Sequence, residues 1–173
     1  MTRPPLRLVI CGSVHRSDDG APEATLPFLP PALRQTVDLR RREGLDPVDL
    51  LEPAVHLLVV DAVVGPRPGT IVVRPLAELS ASDLGFQPVS SHLLPIPTLV
   101  ELARRLRGVP PAGTFIGIAG ARFHPGTSLS PAVRRALPRL ARRIAAEVEA
   151  AGSSVRPSPG GSARPLPGGG GGR

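Results

Sequence analysis

The stretch AVHLLVVDAVV at 54–64 limits what this chain can fold into more than any other. Its apolar residues run on without alternation, so both faces of the strand it forms have to be covered. That requirement points to a central strand of a sheet with helices on either side. Asp61 breaks the run directly after Leu57–Val60, and GPRPG at 65–69 then supplies a turn. An acid in that position is either a turn former or a functional group, and the pattern alone leaves both readings open.

Other segments fit around such a strand. LRLVIC at 6–11 reads as a second buried strand, ended by Gly12, which permits a sharp change of direction. TVDLR, TIVVRPL at 70–76 and GTFIGIAGA supply further strands. TLVELARRLRG at 98–108 repeats Leu99, Leu102, Ala103 and Leu106 at helical spacing, with Gly108 as its stop. SPAVRRALPRLARRIAAEVEA gives a long amphipathic helix, with Ser130 as N-cap, Pro131 at its first position and a kink expected at Pro138. DPVDLLE at 46–52 reads as a short helix capped by Asp46. Pro22, Pro27, Pro30 and Pro31 argue against one long first helix, although a short one can begin at Pro31. The expectation is an α/β fold of three layers, a mostly parallel twisted sheet with helices on both faces. Its functional loops belong beyond the carboxyl ends of the strands, where Asp18, Asp19 and Asp61 are expected.

At 173 residues the chain is the size of one domain with a genuine core. That domain is expected over 1–150, followed by a disordered Gly/Pro/Arg-rich tail over 151–173. The net charge of +7 is uneven, because no acid follows Glu149 while Arg156, Arg164 and Arg173 do. The rest of the charge is spread over several helices and is not expected to form one basic face. With four Phe and no Trp or Tyr the chain is also poor in stacking side chains, so no nucleic-acid partner is expected. The lone Cys11 excludes an intrachain disulfide and a thiolate cluster, and its place at the end of an apolar run predicts burial. No run reaches membrane-spanning length, so no membrane span is expected, and a cytoplasmic location is.

Three polar features stand apart from the core pattern: RSDDG at 16–20, VVDAV at 59–63 and SSHLLPI at 90–96. Two carboxylates and an imidazole suit an intermediate transition metal if the fold brings them together. HExxH and GxSxG are absent, which disfavours a conventional zinc protease and a nucleophile-elbow serine hydrolase. In order, VICGSVHRSDDG, LLVVDAVVGPRPGTIVV, SSHLLPIPTLVELARRL and FIGIAG with GTSLSPAVRRALP resemble the main blocks of the hydrogenase maturation proteases. The resemblance covers about residues 6–149. It implies a phosphorylase/hydrolase-like sheet and an aspartic-type endopeptidase that removes the C-terminal extension of a nickel–iron hydrogenase large-subunit precursor.

The resemblance further implies Asp19, Asp61 and His92 as the residues that recognise nickel already carried by the substrate, with Asp19 and Asp61 also serving catalysis. Nickel is then expected as the substrate's metal, not as a tightly held cofactor. Asp18 is the neighbouring family acid, better suited to supporting the loop. His15, Arg16 and His124 are not promoted. The chain departs from the family at Ser13, where an Asn is usual, and at Pro22, where a second glycine is favoured. Those departures leave a noncatalytic maturation or binding factor as the alternative.

Overall fold

The computed structural model describes residues 6–42, 55–65, 67–80 and 94–154. The expected helix over 46–52 and His92 lie outside the described residues, as does the chain beyond Ser154. Strand β1 is Leu6–Ile10, β2 Asp38–Arg41, β3 His56–Val64, β4 Ile71–Pro75 and β5 Gly113–Gly120. They form one sheet in the order β2-β1-β3-β5-β4. The first four in that order are mutually parallel, and β4 pairs antiparallel with β5 at the edge. The antiparallel edge follows from the short 65–70 connection, since a parallel neighbour needs a long crossover.

The continuous apolar runs are used on both faces, as their lack of alternation requires. Leu8, Ile10, Leu58, Val60, Ile116 and Ile118 point to one side. There they meet Val133, Ala136, Leu137, Leu140 and Ile144 of the C-terminal helix. Val9, Leu57, Val59, Val63 and Phe115 point to the other side, against Ile96, Leu99 and Val100. Each of these large side chains is nearly or fully buried, a gain of roughly 1.5–3 kcal/mol apiece.

The helices start and stop where the sequence says they can. Helix α1, Ala21–Thr25, takes Pro22 near its first turn, where a missing N–H costs nothing. A 3-10 turn follows at Leu26–Phe28, and α2, Pro31–Thr36, begins on Pro31. The prolines have thus cut the first helix into pieces. Helix α3, Ile96–Arg107, ends at Gly108, whose φ of 75° is left-handed and whose amide donates to the Arg104 carbonyl at 2.9 Å. Helix α4, Pro131–Ser154, runs through Pro138 and continues about one turn past the segment read from sequence.

Candidate functional site

β1 stops four residues short of its neighbour β3. Its last residue, Ile10, is level with Val60, and Cys11 adds one more amide to the Val60 carbonyl at 2.9 Å. β3 continues, pairing with β5 as far as Val64 opposite Gly120. Asp61 is therefore the first β3 residue beyond the end of β1, beside a notch in the sheet. This corrects one expectation. Asp61 lies within β3, not at its carboxyl end, and the shorter neighbour is what opens the space around it.

Gly12 turns the chain away from β1 with φ at 90°, and a Cβ there would collide with the Asp19 carbonyl. Only glycine lets the 12–16 loop pass so close to the 3-10 turn Ser17–Gly20. The Ser13 amide then donates to Asp19 Oδ2 at 2.8 Å. This bond uses the backbone, so a serine at position 13 keeps it. Asp19 is only 4% exposed.

The turn is fastened from the opposite side by the β5–α4 connection. Asp18 is fully buried and accepts three backbone N–H groups. Ser130 donates to its Oδ1 at 2.6 Å, and Ala121 and Arg122 to its Oδ2 at 2.7 and 3.1 Å. Burial would raise the Asp18 carboxyl, but these donors outweigh it and hold the group below the ordinary carboxylate range. Ser17 donates from its amide to Gly126 O at 2.7 Å and from its hydroxyl to His124 O at 3.1 Å. Those bonds help hold Ser17 at φ 53°, a left-handed conformation that costs a non-glycine residue on the order of 1 kcal/mol. Asp18 thus ties the 17–20 turn to the β5–α4 connection.

Asp61 has the contrasting environment. It is partly buried, and its one backbone donor is the Ala62 amide, 2.8 Å from Oδ1. Burial raises its carboxyl first, and the negative charge of Asp19 adds to the rise. The Ala62 donor and the Arg42 guanidinium oppose them, and the result is about 7. Asp19 and Asp61 therefore interact across the notch. Cys11 lies in the same field. Burial, then Asp61, pushes its thiol well above the usual value, so it is a neutral, buried group and a poor nucleophile.

Arg42 was not singled out by sequence. It is 3% exposed, follows β2 directly and donates from Nη2 to the Leu94 carbonyl at 3.4 Å. Its signal was visible as a basic residue just past a strand end, but the run Arg40–Arg41–Arg42 hid which of the three turns inward. Arg42 also joins Ile10, Gly12, Ser13, Val14, His15, Glu23 and Arg41 around a groove of about 240 Å³. This groove adjoins the carboxylates through Gly12–Ser13 and Arg42, yet neither acid lines it. His15 and His124 are both exposed, and Arg16 donates to the Phe123 carbonyl at 3.2 Å. Among the described residues no three His, Cys, Asp or Glu converge as a metal site. Asp19 and Asp61 are near enough for the charge of one to act on the other. No helix among the described residues is long and apolar enough to cross a membrane.

The model of the family described as "Hydrogenase maturation protease", HycI, matches residues 43–147. The fold is similar to the hydrogenase maturating endopeptidase HybD of E. coli, with a TM-score of 0.61 at 18% identity over 86% of this chain and 94% of that one. It is also similar to the [NiFe] hydrogenase maturation protease HycI of Thermococcus kodakarensis, at 0.55 and 19% over 84% and 93%. An endopeptidase from E. coli gives 0.62 at 20%, over 84% and 94%. Curated protein sequences gave no match. With the model matching well over half of its length, this chain belongs to the hydrogenase maturation protease family.

Proposed function

We propose that this protein is an endopeptidase that removes the C-terminal extension of a nickel-loaded nickel–iron hydrogenase large-subunit precursor. Asp19, Asp61 and His92 recognise the metal that the substrate brings. The observation that carries the reading is the approach of Asp19 to Asp61 at the notch beyond β1, with the Asp61 carboxyl raised to about 7. A carboxyl poised near neutrality suits proton transfer in either direction, which is what peptide hydrolysis needs to activate water and to protonate the leaving amine. Asp19 is oriented by the Ser13 amide, which donates to its Oδ2. Arg42 offsets part of the negative charge and limits how far Asp61 rises.

The test is intact-mass analysis of a cognate precursor before and after incubation with the purified protein. Nickel-loaded precursor is expected to lose its C-terminal segment, while metal-free precursor stays largely uncut. An unchanged mass with nickel-loaded precursor that binds the folded protein would reject cleavage in favour of a noncatalytic maturation factor.

A further inference from the structure

The two long helices carry arginine on their outer faces but treat it differently. On α3, Arg104 and Arg105 both bond Glu101, at 3.0 and 2.8 Å, so much of that charge is answered. On α4, Arg134, Arg135, Arg139, Arg142 and Arg143 are all exposed, and no acid occurs from Pro131 to Ala146. At roughly 100° per residue these five occupy the half of the helix opposite its buried residues. Arg143 meets Glu147 at 2.7 Å. Among the described residues the other four have no acidic partner. Arg139 donates to the Gly69 carbonyl at 2.9 Å, which brings the exposed Arg67 of the β3–β4 turn towards the same face.

Such a face is mildly unfavourable for the helix itself, because Arg135 and Arg139, like Arg139 and Arg143, are like charges one turn apart. A general excess of arginine does not account for the contrast with the exposed Arg104 and Arg105 of α3, which are paired. The face also begins at the functional edge of the sheet. Its helix starts beside Ser130, whose amide is held by Asp18, next in sequence to Asp19.

We propose that the arginine face of α4 docks an acidic surface on the folded body of the protein substrate, so that the substrate's C-terminal segment is presented at the Asp19–Asp61 notch. The proposal rests on the processing reading given above. Charge complementarity names the partner as acidic, and continuity with the notch names it as the molecule being cut. Nucleic acid fits less well. The stretch 131–146 has no aromatic for base stacking, and the neighbouring carboxylates repel phosphate.

The test compares two charge-reversed variants of equal net charge, Arg135→Glu/Arg142→Glu on α4 and Arg104→Glu/Arg105→Glu on α3. Both are first shown to unfold cooperatively like the parent. Affinity for the nickel-loaded precursor is measured at low and high salt, alongside KM and kcat for processing. The α4 variant is expected to weaken binding and raise KM about tenfold or more at low salt, with kcat within about twofold. The defect shrinks at high salt, where the parent interaction is itself screened. The α3 variant is expected to shift affinity less than about threefold. Equal effects from both variants, or none from the α4 variant, would overturn the docking assignment while leaving processing in place. Binding that follows this pattern without any cleavage would support docking and reject the processing reading. No binding by the parent protein rejects the docking face outright. Loss of duplex-DNA binding in the α4 variant, with precursor affinity unchanged, would reassign the face to nucleic acid.

Discussion

Two aspartates at the same sheet edge show how differently one fold can treat one side chain. Asp18 is fully buried, meets three backbone amides and is held in its charged form. Asp61 is less deeply buried, has one backbone donor and faces the negative charge of Asp19, and its carboxyl rises to about 7. Burial opposes ionisation at both positions and is the largest cause of the rise at Asp61. Three backbone donors overcome it at Asp18, whereas Asp61 has one donor and a like charge beside it. A satisfied carboxylate is a structural joint. One with a single backbone donor beside a like charge is available for chemistry.

The contrast breaks most readily at Asp18. Asp18→Ala leaves three amides without their acceptor and is expected to cost about 3 kcal/mol or more, a large share of the stability of a domain this size. Urea unfolding checks this, and a loss under about 1 kcal/mol would show that the 121–130 connection holds without its carboxylate. Gly12→Ala should come next, at about 2 kcal/mol, because the new Cβ meets the Asp19 backbone at an unfavourable φ. It should also slow processing by displacing Asp19, and a variant with native melting and native rate would contradict the tight passage of the loop.

Asp61→Asn is expected to act in the opposite sense. In the unfolded chain this carboxyl loses its proton near its ordinary value of 3.8, whereas in the folded protein it keeps it until about 7. The folded state therefore binds the extra proton between those values, and the native protein loses stability as pH rises through that window. Removing the group should raise stability by up to about 4 kcal/mol at pH 8 and hardly change it near pH 4. Melting curves at the two pH values check the sign. Equal shifts at both would mean that Asp61 is not held protonated by its surroundings. Truncation after Ser154 should give the smallest effect, within about 0.5 kcal/mol, since the Gly/Pro-rich remainder offers little apolar area. A larger loss would show that the terminal segment stabilises the domain.

The sheet was legible because its strands are continuous apolar runs, and the helix limits because Pro31, Gly108 and Pro131 act through local backbone chemistry. The fragmented first helix followed from the spacing of its prolines. The notch was not legible, since it depends on where β1 stops relative to β3, a matter of register between segments some fifty residues apart. The role of Asp18 involves partners at 121, 122 and 130, which no local pattern connects to it. Asp19 and Asp61 were singled out by the order of the family's blocks and not by periodicity. Arg42 shows the remaining gap, because three adjacent arginines look alike until the fold turns one of them inward.

The most direct test is the single-turnover rate of precursor shortening by Asp61→Asn, followed by intact mass with nickel-loaded precursor in the presence of excess folded protein. The exchange removes charge and proton-accepting capacity with little change in volume. The account expects the rate to fall about 100-fold or more, in a variant whose melting temperature is unchanged or higher. Shortening within about threefold of the parent rate would contradict it, because the carboxyl that the fold raises to about 7 would then have no part in the reaction.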